Sequence, residues 1–443
     1  MLQRIVFVGG KDRYMFTFIH LSDLHFGKTL HDVALVQEDQ PFWVERFIEA
    51  MDEVNPDAVV IAGDVYETRN PDQESILLFD YFLTELAKRG KYVFIVPGNH
   101  DSHVRLSVGA KLYEDKKIYI ARNLEKEIMH ITTTGDTPVT FWLLPYVFRK
   151  TVASLLEDES IDTYDAALKA IIDLQKVDHS HPNVLVAHQN VIASAEDKPE
   201  ASGSESVIIG GVGEVLASRF DEFDYVALGH IHKEQKIGRE TIRYSGCPMY
   251  YDFSEVNRKK ALTIVTIADD GSISYTYKDI YLPYYLYQAE GTFEELKKQG
   301  PAWVASVKAE NEELRSAGCP YEKRYYVKLV VKGGIPAGGQ DVLKHVYGRN
   351  VLNIDPVSSN NNTGGSPKVS SAVKDLDLAT QFEQMYQQMD KGGRELSDVQ
   401  RRILDIVLES QEADGEYYIE KSLGKEIGNG LLEEILKVVN HKS

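Results

Sequence analysis

The chain has few cysteines, no long apolar run and no excess of positive charge. Its 443 residues include only Cys247 and Cys319, each followed by proline. Neither a disulfide framework nor a thiolate metal cage is therefore expected. No apolar run approaches the ~20 residues that cross a bilayer, and the N-terminus lacks the ordered regions of a secretory signal peptide. These absences favour a cytoplasmic protein without a membrane span.

The formal net charge of −19 argues against a protein that coats nucleic acid with basic residues. It does not exclude an enzyme acting on nucleic acid, because bound metal ions offset carboxylates and local basic clusters can hold phosphates. The candidate clusters, which can equally be solvated surface, are Arg69, Arg105, Arg149–Lys150, Arg258–Lys260 and Lys323–Arg324.

Strand and helix patterns alternate over residues 15–283. Apolar residues at near-helical spacing over Phe42–Val54, Ile76–Leu86 and Ala166–Leu174 precede short, solidly apolar stretches typical of strands buried on both faces. This alternation predicts a layered α/β fold, a sheet covered by helices. Leu262–Ile267 and Ser272–Tyr277 predict a hairpin.

Five apolar stretches each end in residues that commonly bind metals. The stretches and the residues that follow them are Phe16–Ile19 with Asp23 and His25, Ala58–Ile61 with Asp64, Tyr92–Val96 with Asn99 and His100, Val184–Ala187 with His188, and Tyr225–Leu228 with His230 and His232. Because α/β sheets collect their sites at the carboxyl ends of strands, these residues are expected to converge. Convergence at one site predicts an enzyme.

The remaining segments divide by composition. Residues 284–356 predict a small α+β domain with elements at Glu294–Lys298, Ala302–Ser316, Tyr325–Val331 and Val342–Tyr347. Residues 357–368 are rich in Ser, Asn and Gly and predict a linker, and residues 369–443 predict a helical tail that packs on its own enzyme or docks onto a partner. Residues 1–14 precede the first required strand, and are either an extra edge strand at Arg4–Val8 or lie before a native start at Met15.

Seven of these side chains supply enough ligands for two metal ions: Asp23, His25, Asp64, Asn99, His188, His230 and His232. Mixed oxygen and nitrogen ligands without sulfur suit Mn²⁺, Fe²⁺ or Zn²⁺ better than Mg²⁺ or Ca²⁺. The two oxygens of Asp64 can bridge the ions, and Gly63 lets the backbone pass close to them. Two ions ~3.5–4 Å apart activate water and neutralise a phosphoryl group during in-line displacement.

His100 follows a ligand and precedes Asp101, and two roles are open for it. It either supports a ligand from behind, or acts as the catalytic acid that protonates the leaving oxygen while Asp101 orients its ring. Among the other histidines, only His31 and His103 are retained as candidate substrate contacts.

At this point the chain resembles a known family. The motifs Asp23-Leu24-His25, Gly63-Asp64, Gly98-Asn99-His100-Asp101, Ala187-His188 and Gly229-His230-Ile231-His232 resemble the full motif set of the calcineurin-like metallophosphoesterases. The flanking segments Ser22–Lys28, Ala62–Tyr66, Ala187–Gln189 and Tyr244–Pro248 resemble the SbcD family of nuclease subunits in bacterial SbcCD complexes, which repair double-strand breaks.

The resemblance implies a ligand assignment and an activity. It gives Asp23, His25, Asp64 and His232 to one ion, and Asp64, Asn99, His188 and His230 to the other, with His100 as catalytic histidine. It implies a Mn²⁺-dependent nuclease with 3′-to-5′ exonuclease action on duplex DNA ends and endonuclease action on single strands and hairpins. It also implies a homodimer, a DNA-contacting capping domain at 284–356, and a tail that binds the coiled-coil ABC-type ATPase SbcC.

The chain departs from the family pattern at two positions. Relatives in archaea and eukaryotes carry a histidine three residues after the bridging aspartate, whereas Glu67 stands here. Cys247 stands where serine is common, which we interpret as a neutral exchange of small residues.

Two alternatives remain. One is another calcineurin-like phosphoesterase that acts on nucleotides, phosphoproteins or lipids, although the segment Gly63–Arg69 lacks the Gly-Asp-x-x-Asp-Arg-Gly pattern of protein phosphatases. The other is a non-catalytic adaptor between DNA and an ATPase, whose expected signature is a degraded ligand set. No ligand of the set is missing from this sequence.

Overall fold

The computed structural model describes residues 6–8, 11–13, 15–194, 196–201, 213–348 and 350–357. The described residues fall into two compact units. Residues 147–173 belong to the smaller unit and contain the helices Arg149–Leu156 and Tyr164–Ile172. The predicted linker beyond residue 357 and the predicted tail at 369–443 lie outside the described residues.

The larger unit contains a first six-stranded sheet. From edge to edge its strands are Ile273–Asp279, Ala261–Ala268, Met15–Leu21, Ala58–Ala62, Tyr92–Val96 and Ile118–Ile120. The last four strands run parallel. The first two strands form the predicted hairpin, and Ala261–Ala268 pairs antiparallel with Met15–Leu21. The helices Asp39–Val54 and Gln73–Arg89 connect consecutive parallel strands, as right-handed crossovers require.

A second six-stranded sheet carries the other two ligand-bearing strands. Its strands, from edge to edge, are Gln235–Ile237, Arg239–Tyr244, Tyr225–Gly229, Asn183–His188, Thr140–Leu144 and Met129–Thr132. The four central strands run parallel and each edge strand pairs antiparallel. The carboxyl ends of Asn183–His188 and Tyr225–Gly229 therefore lie side by side.

Alternate residues of the first sheet enter two different cores. Phe18 and Phe94 face the second sheet, where their rings lie 5.6 and 4.1 Å from that of Phe141. Ile19 and Ile95, one position along, belong to the core beneath the helices instead. Since strand side chains alternate between faces, burial on both faces explains the unbroken apolar runs in the sequence.

Local sequence sets both ends of the second crossover helix, Gln73–Arg89. The side chain of Asp72 accepts from the N–H of Ser75 and caps the start of Gln73–Arg89, and Gly90 ends that helix in a left-handed conformation.

The shorter described elements are helices, 3-10 turns and paired strands. The helices are His103–Leu106 and Ala110–Tyr113, and the 3-10 turns are Leu35–Gln37, Glu114–Lys116, Ala217–Phe220 and Phe253–Glu255. The strand pairs are Val6–Val8 with Lys11–Arg13, Thr29–Leu30 with Val33–Ala34, and Asn190–Ile192 with Glu214–Leu216. Val6–Val8 thus pairs within its own hairpin.

A third sheet is built from residues beyond 284. Its strands Tyr285–Thr292, Tyr325–Lys332 and Val351–Val357 are all parallel, and the helices Phe293–Ser316 and Gly339–Tyr347 follow the first two. This is an α/β arrangement, where the sequence indicated α+β. Apolar residues of the strands and helices form a separate core.

The helix Phe293–Ser316 is continuous, although the sequence suggested two elements separated at Pro301. A proline inside a helix costs about 3 kcal/mol. Close packing offsets this cost, because a Cβ at Gly300 would lie 2.2 Å from the side chain of Val346 on the neighbouring helix. Within the described part of the chain, no helix combines the length and apolar character needed to cross a membrane.

Candidate metal centre

The predicted ligands lie in short loops at the carboxyl ends of strands from both sheets. The N–H of Asp23 donates to the carbonyl of Gly63 (3.0 Å), which joins two of these loops. The N–H of His25 donates likewise to the carbonyl of Asp64 (2.9 Å). Asp23, His25 and Asp64 adopt left-handed conformations, with φ of 54°, 45° and 49°. Such strain in residues other than glycine is uncommon and concentrates at functional sites.

One half of the cluster contains His25, His232 and Asp23. The Nε2 atoms of His25 and His232 lie 3.2 Å apart. Asp23 Oδ1 lies 3.7 Å from Nε2 of His232, and Asp64 Oδ2 lies 3.7 Å from Nε2 of His25. All four side chains are buried. Ligand atoms of Asp23, His25 and His232 are close enough together to hold one ion.

The other half contains His188, Asn99 and His230. Oδ1 of Asn99 lies 3.1 Å from Nε2 of His188 and 3.0 Å from Nδ1 of His230. Oδ2 of Asp64 lies 3.1 Å from Nε2 of His188, so this carboxylate touches both halves. The main-chain N–H of His230 donates to Asp23. The structure therefore brings all seven predicted ligands together.

The tautomer of His188 follows from its partners. Its Nδ1 lies 2.8 Å from the carbonyl oxygen of Ala62, which can only accept a hydrogen bond. Nδ1 therefore carries the hydrogen, and in the neutral ring Nε2 presents a lone pair. Nε2 faces the oxygens of Asp64 and Asn99.

His25 shows the same arrangement. Its Nδ1 lies 2.8 Å from Oε2 of Glu67, so its Nε2 is left to face Nε2 of His232. In their neutral forms, the rings of His25 and His188 can each present Nε2 to a cation. The carboxylate, amide and imidazole set therefore fits divalent metal ions.

Burial and neighbouring charges shift the pKa values of the clustered histidines in opposite directions. Burial opposes a charged ring, but the Asp64 carboxylate raises the pKa of His188 to about 9. Burial also acts against an ionised Asp64, yet His188 holds the pKa of Asp64 well below its usual range. Burial and the nearby His188 lower the pKa of His230 to about 3, which keeps that ring neutral and able to bind a metal.

His100 lies beside the cluster. Its main-chain N–H donates to Oδ1 of Asp64 (2.9 Å), and its ring centroid is 5.0 Å from that of His25. Nδ1 of His100 lies 2.8 Å from the carbonyl oxygen of Glu67. Since that oxygen can only accept, Nδ1 carries a hydrogen and Nε2 is the atom available to a substrate.

Asp101 does not orient the ring of His100, contrary to the expectation from sequence. Its Oδ2 accepts from the main-chain N–H groups of Val65 (3.1 Å) and Gly98 (2.9 Å), and its Oδ1 from that of Tyr66 (2.9 Å). A carboxylate saturated by three backbone donors joins the loop after Ala58–Ala62 to the loop containing Asn99. Burial and the nearby Asp64 raise the pKa of Asp101 to about 6.

Glycines permit the close approach of these loops. A Cβ at Gly63 would lie 2.2 Å from Nδ1 of His188, and one at Gly229 would lie 1.9 Å from the carbonyl oxygen of Ala62. Both distances are far below van der Waals contact. The sequence analysis predicted that Gly63 allows a close approach of the backbone, but it did not predict this for Gly229.

Two supporting residues escaped the sequence analysis, and a third was noticed without a role. Nε2 of Gln40 donates to the carbonyl of His25 (2.7 Å), and the hydroxyl of Tyr251 donates to that of Leu24 (2.6 Å). No motif marks Gln40 or Tyr251, because only the fold brings them to this loop. Glu67 was noticed as a departure from the family pattern, without a role.

Two predicted basic clusters are partly used inside the protein. Lys260 is buried and forms an ion pair with Glu255 (2.5 Å), and its Nζ lies 2.9 Å from Sγ of Cys247. Arg324 is paired with Asp39. Lys260 is therefore not a candidate for phosphate contact. The contact between Lys260 and Cys247 was not expected when Cys247 was interpreted as a neutral exchange for serine.

Comparisons with known proteins identify relatives of the chain. The family model of the calcineurin-like phosphoesterases matches residues 16–234. The chain is 32% identical over 281 residues to SbcD, the D component of nuclease SbcCD, of Staphylococcus epidermidis, across 63% of this chain and 73% of that protein. Solved structures similar to 60% of the chain include a dimetal phosphatase from Danio rerio (12% identity, 99% of that chain, TM-score 0.32) and Yfce, a phosphoesterase from E. coli (13% identity, 100% of that chain, TM-score 0.25).

The chain belongs to the calcineurin-like phosphoesterases. Within them it belongs to the SbcD family. The resemblance inferred from the motifs and the predicted layered α/β fold are both confirmed.

Proposed function

We propose that this protein is a two-metal phosphodiesterase that cuts DNA and prefers Mn²⁺. The observation that carries this proposal is the convergence of seven side chains of metal-binding types from five strand ends. A pair of divalent ions supplies, when bound, an activated water and neutralisation of the phosphoryl charge. Oxygen and nitrogen ligands without thiolate suit Mn²⁺, the ion that the family resemblance implies.

The ligands divide between the ions as the two halves of the cluster suggest. Asp23, His25 and His232 hold one ion, with Asp64 as the shared ligand. The second ion is held by the remaining half, Asn99, His188 and His230, together with Asp64. Contact of Asp64 with both halves supports its bridging role.

His100 is the catalytic acid in this proposal. The carbonyl of Glu67 holds Nδ1 and leaves Nε2 free to carry the proton that goes to the leaving oxygen. Asp101 contributes indirectly, by holding the loop on which His100 lies. General acid catalysis of this kind typically contributes a factor of about 10²–10⁴ to a rate.

The substrate we propose is DNA, in repair and recombination. The protein degrades duplex ends in the 3′-to-5′ direction and cuts single strands and hairpins. Support comes from the similarity to the SbcD component of nuclease SbcCD and from the motif flanks. A non-catalytic adaptor is disfavoured, because the complete ligand set converges.

Residues 284–356 act as a capping domain that contacts the DNA. Tyr326 on the third sheet donates to Asp39 (2.9 Å) at the start of the helix Asp39–Val54, and Arg324 pairs with the same carboxylate. The next residue, Gln40, binds the carbonyl of His25. A movement of the capping sheet can therefore be transmitted to a ligand loop through adjacent residues.

A cleavage assay tests the function directly. Purified protein is incubated with Mn²⁺ and blunt duplex, hairpin or single-stranded DNA, with nucleotides and a phosphoprotein as alternative substrates. Cleavage of all three DNAs that stops on chelation of the metal is expected. Preferential hydrolysis of nucleotides or the phosphoprotein would favour another phosphoesterase activity, and DNA binding without cleavage would favour an adaptor.

We propose that residues 369–443 bind an SbcC-type coiled-coil ATPase. This assignment rests on the resemblance and on the amphipathic pattern of the tail sequence. Deletion of residues 368–443 is expected to preserve Mn²⁺-dependent cleavage of single strands and to abolish co-purification with the ATPase. Retention of the ATPase by the shortened chain would exclude the tail as the docking segment.

The homodimer implied by the resemblance has a suitable surface. Ile76, Leu77 and Tyr81 are exposed on the helix Gln73–Arg89, and Val104, Val108 and Leu112 are exposed on the segment that follows His103. Arg105 donates to Asn70 (2.6 Å), which brings the two segments together at one end. We propose that these six residues pack against a second copy, since exposed apolar patches mark interaction sites.

Aspartate at this surface should prevent dimer formation. The double variant Leu77→Asp, Leu112→Asp is expected to sediment as a monomer at concentrations where the wild type is a dimer, because association would bury two uncompensated charges. Leu174→Asp, at another exposed leucine, is the matched control and should remain dimeric. A dimeric double variant would assign the dimer contact to a different face.

A further inference from the structure

Glu67 contacts His25, Lys28 and His100, and no role described so far explains these three contacts. Its Oε2 lies 2.8 Å from Nδ1 of His25, and its Oε1 lies 2.8 Å from Nζ of Lys28. Its carbonyl oxygen accepts from Nδ1 of His100 (2.8 Å). One residue thus contacts both a predicted metal ligand and the predicted catalytic acid.

We propose that Glu67 is a positioning residue that sets the rings of His25 and His100 relative to each other. The side chain acts on His25 and the main chain acts on His100. This inference rests on the proposed function, since it assigns the two rings their roles there. The inference assigns a function to Glu67, the residue that departs from the family pattern.

The backbone around Glu67 is held firmly enough for this task. The N–H of Glu67 donates to the carbonyl of Phe26 (3.1 Å), and the N–H of Phe26 donates to that of Val65 (2.9 Å). The segment that carries His25 therefore runs beside the segment that carries Glu67. Lys28, on the same segment as His25, holds the second carboxylate oxygen.

The carboxylate fixes the tautomer of His25. With Oε2 only 2.8 Å from Nδ1, it favours the hydrogen on that nitrogen and leaves Nε2, the atom that faces His232 and Asp64, to bind a metal. A carboxylate behind a metal-binding histidine also makes the ring a stronger ligand, and removal of such a partner typically costs about 10–100-fold in metal affinity.

The side chain and the main chain of Glu67 can be separated experimentally. Glu67→Ala removes the contact with His25 but keeps the carbonyl that holds His100. We therefore expect Mn²⁺ to bind about 10–100-fold more weakly at one of the two sites. We also expect the cleavage rate to return close to that of the wild type when Mn²⁺ is saturating.

The measurement is a calorimetric titration of metal-free protein with Mn²⁺, with cleavage rates measured over the same range of Mn²⁺ concentrations. Glu67→Gln, whose amide oxygen can still accept from Nδ1, should recover much of the affinity. Lys28→Met leaves the contact between Glu67 and His25 in place and should lose less than Glu67→Ala. Glu49→Ala, at an exposed carboxylate, should behave as the wild type.

The outcomes separate this inference from the proposed function. A wild type that binds fewer than two Mn²⁺ ions overturns the proposed function and the inference with it. If the wild type binds two ions and Glu67→Ala binds both with unchanged affinity, only the inference fails. An equal loss at both sites, or a lowered melting temperature of metal-free Glu67→Ala, indicates a general structural role and also overturns it.

Discussion

Replacement of His100 by alanine is expected to slow DNA cleavage about 10²–10⁴-fold while both metal ions remain bound. The ring of His100 is not among the groups whose lone pairs face the centre. Its contact with Asp64 is made by the main-chain N–H and survives the substitution. DNA cleavage should therefore be lost while the metal site is retained.

The acid role can be tested separately from a steric effect. DNA with a bridging sulfur at the cleaved bond has a leaving group that needs little protonation, so His100→Ala should cut it at a rate near that of the wild type. His179→Ala removes an exposed histidine paired with Glu222 and is the matched control. An equal defect of His100→Ala on sulfur-containing and ordinary DNA would refute proton transfer by His100.

The ligand set could be predicted from the sequence because each ligand follows an apolar strand directly. A strand buried on both faces leaves a strong local signal, and its carboxyl end is a short loop with few conformations. Five such signals in one chain made a convergent site predictable. The division of these strands between two sheets was not predictable, because strand order depends on pairing between distant segments.

The partners of the ligands left a weaker signal. Asp101 was expected to act on its neighbour His100, yet it binds the main chain of Val65 and Tyr66. Proximity in sequence was misleading here, because the loops that meet belong to different strands. The position of Glu67 was noticed, but its contact with His25 depends on two loops running side by side.

The same contrast holds for Pro301. A proline inside a helical pattern usually ends a helix, and sequence alone gave no reason to continue it. The close approach of Gly300 to Val346 and Tyr347 is a tertiary interaction. Packing of this kind overrides local propensity.

Replacement of Asp64 by alanine is expected to weaken Mn²⁺ binding at both sites more than about 100-fold, beyond the loss typical for a supporting residue, and to leave no measurable cleavage. Oδ2 of Asp64 lies 3.1 Å from Nε2 of His188 in one half and 3.7 Å from Nε2 of His25 in the other. Asp23 lies farther from the ring nitrogens of both halves, with Oδ1 3.7 Å from Nε2 of His232 and 4.0 Å from Nε2 of His188. Its loss also removes the charge that raises the pKa of His188.

Asn99→Ala is the matched contrast for Asp64→Ala. Asn99 contacts only His188 and His230 among the predicted ligands, so its loss should weaken one ion and spare the other. Titration of both metal-free variants with Mn²⁺ distinguishes a shared ligand from a single-site ligand, because only the shared ligand affects two binding steps. If Asp64→Ala still binds one ion with the affinity of the wild type, Asp64 belongs to one half only, and the bridging arrangement on which the two-metal chemistry depends is wrong.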